Sequence, residues 1–238
     1  MKVVGIIPAR YGSKRLPGKP LLDILGKSMI QRVFEQCKKC DKLNTIVVAT
    51  DDKRIYEHVK AFNGNAIMTS KTHKTGTERC NEVVKKLTQE FDVVVNIQGD
   101  EPFINPIQIE EVIALFNDKK TQIGTLVSVI KDVNVLKDRN APKAILDTQG
   151  RVVAFSRRIS TKLRNQTRIY QHVGIYAYKK NILKELCGLP ESKNEIKEQL
   201  EQLRWLDNNY KIITGITNFQ NIAVDTANDI EKIKQKMR

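Results

Sequence analysis

A cluster of cations and two carboxylates are the groups of this chain best placed to do chemistry. Arg10, Lys14, Arg15 and Lys19 fall within IIPARYGSKRLPGKPL, residues 6–21, where Gly12 and Gly18 supply bends and Pro8, Pro17 and Pro20 restrict the backbone. Glycine lets backbone N–H groups approach an anion, and neighbouring cations neutralise a polyphosphate. The stretch therefore reads as a nucleotide-phosphate loop, with a basic surface turn as the plainer alternative. It is not a Walker A loop, because five residues separate Gly12 from Gly18 and Lys19 is followed by Pro20, which has no hydroxyl for magnesium. Asp100, in NIQGDEP, and Asp225, in NIAVD, each end an apolar run. Carboxylates at strand ends suit Mg²⁺, a hard ion completed by substrate phosphates, although a lone aspartate there also reads as a turn or cap residue.

Other residues are more equivocal. TGTER, residues 75–79, sets small residues beside Arg79, so its backbone can meet a base or phosphate while Thr75 or Thr77 caps a helix. His172, in QHVGIYAY, reads first as a hydrogen-bonded structural histidine and second as a ligand for substrate. Glu201, Gln202 and Arg204 read as a solvated helix face. Cys37 and Cys40 form a CxxC without a second pair, and Met29, Ile30, Val33, Phe34 and Cys37 share one helical stripe, so Cys37 reads as core packing.

These groups must be held by elements, and the pattern supplies them. Apolar runs at 2–7, 45–50, 66–70 and from 92 to a stop at Gly99 alternate with amphipathic helices near 28–40, after Asp52 until Gly64, after the loop HKTGTER through Leu87, and at 106–117. That alternation predicts a doubly wound, mostly parallel α/β sheet, in which ligands bind beyond the carboxyl ends of strands. The three chemically rich stretches all follow predicted strands and are therefore expected on one edge. Beyond residue 122 the pattern becomes strands at 123–130, a hairpin of KAIL and RVVAFS around DTQG, and another strand at 173–178, an antiparallel excursion spanning about 130–208 within a single domain of 1–238. A helix is predicted at 195–207, then strands in YKIITGI and NIAVD, and a last helix capped by Thr226 with Asp229 reaching back.

The net charge of +14 implies an anionic ligand. Its lysines are dispersed and not interleaved with aromatics, which argues against nucleic acid. No apolar run approaches a membrane span and no signal peptide fits, so a cytoplasmic protein without membrane insertion is expected.

IIPARYGSKRLPGKPL, HKTGTER, NIQGDEP, KAILD, FSRR, HVGIYAY, LEQLRWL and VDTANDIE, in this order, resemble the 3-deoxy-manno-octulosonate cytidylyltransferase (CMP-Kdo synthetase) family nearly end to end. The first motif alone is shared with other sugar nucleotidyltransferases, including those acting on acylneuraminate. The resemblance implies transfer of CMP from CTP to Kdo with release of pyrophosphate, for lipopolysaccharide synthesis, by a Mg²⁺-dependent homodimer. It implies that Arg10, Ser13 and Lys19 hold the CTP phosphates. Pro8, Ala9, Thr75, Gly76, Thr77 and Arg79 would surround cytidine, with Gln98 and Asp100 also at the nucleotide. Asp100 and Asp225 would carry magnesium, the catalytic set being these two with Arg10 and Lys19. Arg15, Gln98, Arg157, His172, Tyr176, Glu201 and Gln202 would line the sugar pocket. TGTER stands where the family usually has SGTER or SGTDR, and FSRRIST lacks an expected proline, so 8-amino-Kdo or sialic acid stays open as the acceptor. A non-catalytic basic binder of nucleotide or nucleic acid is the alternative of another class.

Overall fold

Short β-branched runs alternate with amphipathic helices through the first hundred residues, and each forms the element that its period dictates. The computed structural model describes residues 1–12, 16–159, 168–219, 223, 224 and 226–236. The candidates Ser13, Arg15 and Asp225 lie outside the described residues. The chain divides into two compact units, Met1–Glu110 with Asn221–Arg238, and Glu111–Gln220. The second is wider at both ends than the excursion expected over about 130–208.

In the first unit, β1 (Val3–Ala9) is followed by a ribbon of β2 (Asp23–Ile24) and β3 (Lys27–Ser28), then α1 (Met29–Cys37), β4 (Thr45–Thr50), α2 (Lys53–Ala61), β5 (Ala66–Met68), α3 (Gly76–Lys86) and β6 (Val93–Asn96). The order β6-β1-β4-β5 is parallel throughout, so all four strands deliver their carboxyl ends to one edge. This is the wound parallel sheet expected from the alternation. α1 buries Met29, Ile30, Val33, Phe34 and Cys37 on one stripe and is capped by Ser28, whose hydroxyl accepts from the Gln31 amide. Cys37 and Cys40 are free and buried, and burial pushes both thiols above the ordinary range, as core packing requires.

The loop after β1 turns at Gly18, which has φ +70° and whose amide donates to Tyr11 O at 3.0 Å. A Cβ there would also stand 3.1 Å from the Tyr11 ring, so glycine meets two demands at once. Leu16 and Leu22 from this loop pack with Ile24, Met29 and Phe103 against Val224, Ile230 and Ile233. The C-terminal helix Ala227–Lys236 is thereby packed against Leu16 and Leu22 of the segment after β1. Thr226 and Asp229 form the expected reciprocal cap, with the Thr226 amide donating to Asp229 Oδ2 at 2.8 Å.

The boundary between units falls within α4 (Pro106–Ala114). The second unit contains β7 (Ile123–Ser128), α5 (Asn134–Lys137), β8 (Lys143–Leu146), β9 (Val152–Ser156), β10 (Ile169–Lys179), α6 (Lys180–Cys187), α7 (Lys193–Glu198), α8 (Gln202–Asp207) and β11 (Ile212–Thr217). Its strands run β11-β7-β10-β8-β9, with β10 antiparallel to both neighbours and β8–β9 the predicted hairpin. A bridge between Arg151 and Ile213 brings the start of β9 back toward β11. The single helix expected at 195–207 is instead two, because Gln199 adopts a left-handed conformation with φ 52°. Helical spacing of apolar residues continues across that break and hides it. Of NIAVD, residues 223 and 224 are described, and they belong to no strand.

Candidate active site

At the carboxyl edge of the first unit, three strand-following segments enclose a cavity of about 260 Å³. Pro8 and Ala9 end β1, and Arg10, Lys19 and Pro20 come from the loop after it; Thr75, Gly76 and Arg79 come from the start of α3; Gln98, Gly99 and Asp100 follow β6. The sequence separations are long, and the parallel order β6-β1-β4-β5 puts the segments that follow β1, β5 and β6 on one edge. Gly99 is where the turn after β6 crosses β1, since a Cβ would lie 2.6 Å from the Pro8 carbonyl oxygen. Any side chain there would drive the Asp100 turn away from the cavity.

The start of α3 presents N–H groups and the positive end of a helix dipole to this cavity, an arrangement that favours phosphate. Thr75 caps the helix, its hydroxyl accepting the Glu78 amide at 3.2 Å. Thr77 is buried within the first turn. Arg79 is 3% exposed and donates to Asp51 Oδ2 at 3.0 Å, to the Thr69 hydroxyl and to Ser70 O at 3.3 Å. Its guanidinium therefore braces the wall of the cavity that it lines.

Lys19 Nζ donates to Asp100 Oδ2 at 2.8 Å, so the candidate phosphate-binding cation and the candidate magnesium ligand meet across 81 positions. The Asp100 backbone is held by the Val224 amide, 2.9 Å from its carbonyl oxygen. Asp100 fits a magnesium ion bound with nucleotide phosphates: it offers a hard, half-exposed carboxylate oxygen at the cavity rim, and such ions use one or two carboxylates. Among the described residues no cluster of three or more metal-binding side chains occurs.

In the second unit the sugar-side candidates gather around β10. The pairing of β10 with β7 shifts between Val173 and Tyr176, so His172 and Tyr176 oppose Val127 and Thr125, two apart on β7. Their rings consequently lie side by side at 5.3 Å. Phe155 meets His172 edge-on at 5.1 Å, and Trp205 of α8 meets Tyr176 edge-on at 5.1 Å. Trp205 thus seats α8 and, with it, Gln202 and the adjoining Glu201. Burial raises the Tyr176 phenol well above its ordinary pKa, and the nearby Glu201 charge adds to the shift.

His172 Nε2 lies 3.1 Å from Thr125 Oγ1, and burial pushes its pKa down to about 3. Folding therefore favours the neutral ring. The associated stability is present above about pH 6.5, the ordinary histidine value, and is lost as pH falls toward 3 because the unfolded chain takes up the proton first. Wild type is expected to lose on the order of 1 kcal/mol per pH unit more than His172→Gln across this window. Urea unfolding at pH 4, 5, 6 and 7 checks it, and parallel pH profiles would refute the assignment.

Arg157 occupies a different position from the other sugar candidates. Its guanidinium donates to Glu198 O at 2.8 Å, Arg139 O at 3.0 Å and Gln199 O at 3.2 Å, while its amide donates to Glu198 Oε2 at 2.9 Å. The fully buried Lys143 donates to Arg157 O at 2.9 Å and to Asp138 O. Arg157 therefore staples the turn that leads to Glu201 and Gln202. Arg204 reinforces the same region through two bonds of 2.6 and 2.7 Å to Glu195, a buried pair and not the solvated face read from the sequence.

His73 and Lys74 also line the cavity and were not among the candidate residues. They could have been found from their place directly before TGTER.

A parallel sheet with a cation-rich cavity at its strand ends, framed by a helix N-terminus, is the arrangement of a nucleotide-binding α/β protein. A 4-diphosphocytidyl-2C-methyl-D-erythritol synthase from Anaerococcus prevotii shares this fold, with a TM-score of 0.66 at 15% identity over 99% of this chain and 98% of that one. Residues 4–212 match the family described as Cytidylyltransferase. The chain is 48% identical to the 3-deoxy-manno-octulosonate cytidylyltransferase of Parabacteroides distasonis, over 98% of this chain and 96% of that one. A solved CMP:2-keto-3-deoxy-manno-octonic acid synthetase, complexed with CTP, superposes with a TM-score of 0.93 at 39% identity, covering 100% of this chain and 98% of that one. The chain belongs to the 3-deoxy-manno-octulosonate cytidylyltransferase family.

Proposed function

We propose that this chain transfers CMP from CTP to 3-deoxy-manno-octulosonate, releasing pyrophosphate. The observation carrying the residue assignments is the union of Arg10, Lys19, the start of α3 and Asp100 around one cavity, in a chain 39% identical to a synthetase solved with CTP. The anomeric 2-hydroxyl of the sugar attacks the α-phosphorus in line, and no protein nucleophile is needed. Pro8, Ala9 and the Thr75–Arg79 segment hold cytidine; Arg10 and Lys19, with Ser13 by family resemblance, hold the phosphates. Lys19 and Arg10 offset charge that grows on the leaving pyrophosphate. Asp100, with Asp225 by family resemblance, would hold magnesium, which would supply Lewis-acid polarisation of the phosphate. By family resemblance, His172, Tyr176, Glu201 and Gln202 of the second unit are the sugar-side residues, and Gln98 and Arg15 are assigned to the sugar by the same resemblance. Arg157 serves them by fixing the Glu198–Gln199 turn.

The test is pyrophosphate release from CTP with a panel of Kdo, 8-amino-Kdo and sialic acid, with Mg²⁺ and then with EDTA. Kdo-dependent release that EDTA abolishes is the expected result. Release with 8-amino-Kdo in preference to Kdo would reassign the acceptor, and full turnover in EDTA would remove the metal. We read the enzyme further as a cytoplasmic homodimer serving lipopolysaccharide synthesis, a reading supported by family resemblance and by exposed Val153 and Ile216 on strands of the second unit. Among the described residues no helix is long and apolar enough to cross a membrane. Sedimentation of the same preparation as a monomer at micromolar concentration would overturn the dimer.

A further inference from the structure

The rim segment 70–75 has no regular structure of its own, and its polar groups converge on one face of α3. Glu82 Oε2 accepts the Ser70 amide at 2.8 Å and also meets His73 Nε2. Glu78 Oε2 accepts the Lys74 amide at 2.7 Å and stands 3.7 Å from His73 Nδ1. Glu78 and Glu82 are four apart on the helix, so both carboxylates face the same side. His73 stands between them while lining the nucleotide cavity.

The direction of the central bond follows from charge. Burial raises the Glu82 pKa, but Lys86, the Ser70 amide and His73 together outweigh it and bring the carboxyl down to about 2. An ionised carboxylate only accepts, so Nε2 carries the proton and donates. Lys86 holds the other carboxylate oxygen, with Nζ 2.7 Å from Oε1, which leaves Oε2 to the rim.

We propose that His73 is a positioning residue of the nucleotide site: by donating to Glu82 it ties the middle of the rim to α3 and holds the Lys74–Gly76 backbone ready for bound CTP. The Ser70 and Lys74 amides secure the segment near its ends, whereas His73 supplies the side-chain strut between those points. Without it, ordering the rim is deferred to nucleotide binding and weakens it. Chemistry on the bound nucleotide is unaffected, because His73 acts on the position of the rim. This role rests on the cytidylyltransferase reading above, and the two are separable by experiment.

His73→Phe is expected to raise the Kd for CTP, measured by calorimetry without sugar, and the KM for CTP by about tenfold. kcat and the KM for Kdo should stay within about twofold of wild type. His73→Gln, which retains an N–H donor, should recover most of the CTP affinity, and His73→Ala should not. The proposal is overturned if His73→Phe and His73→Ala bind CTP as wild type does, or if the loss falls on kcat with CTP affinity intact. If either variant fails to fold, the remaining comparison of Gln with the other non-donor decides. Absence of turnover in wild type would count against the assigned reaction, while CTP binding by the variants still reads the rim.

Discussion

Asp100→Asn abolishes metal-dependent pyrophosphate release while leaving the protein folded: this is the largest effect expected from the structure. The substitution is nearly isosteric, and the Val224 amide still finds the residue 100 carbonyl, so the turn after Gly99 should keep its course. What disappears is the anionic oxygen at the cavity rim. A neutral amide oxygen is a far poorer ligand for a hard divalent ion, and Lys19 loses its partner at 2.8 Å. The ion pair is half-exposed on the aspartate side, so its loss should cost less than about 1 kcal/mol of stability. Turnover assayed over a magnesium titration, with a urea melt on the same sample, separates the two effects. Wild-type turnover in the variant would exclude Asp100 from the metal site.

Lys19→Met should lower kcat by about a hundredfold, equivalent to roughly 3 kcal/mol of lost transition-state stabilisation. Methionine keeps the length and apolar stem of a side chain that is only 9% exposed, so packing is largely retained. On the proposed reaction the lost ammonium is the one that would meet negative charge accumulating as pyrophosphate departs, an interaction expected to be stronger in the transition state than with bound CTP. The decline should therefore appear in kcat more than in the KM for CTP. Combining it with Asp100→Asn should give less than the sum of the separate effects, because the two groups touch. Unchanged kcat in Lys19→Met would remove this residue from the leaving-group side.

The sheet of the first unit was readable because parallel strands buried on both faces carry continuous Val and Ile runs, as in TIVVAT and VVVN. Gly99 before Asp100 was equally visible as a stop. Less visible was Gln199, whose left-handed backbone divides two helices although nothing in its side chain demands it. Arg204 was misleading because an arginine looks the same whether it meets solvent or a buried carboxylate. Only the return of the Glu198–Gln199 turn to the end of β9 shows which partners Arg157 has.

By itself the order of residues determined the alternation of strand and helix, the glycines where backbone must come close, and the kinds of charge available for a nucleotide. Those properties depend on neighbours a few positions away, which a local period reports. Tertiary structure alone decided that Lys19 faces Asp100, that Arg79 is braced by Asp51, and that His73 is strapped to Glu82 beside the cavity. Such pairs depend on which strand lies beside which and where each loop crosses. That choice is made by packing the whole unit, and no short stretch of chain contains it.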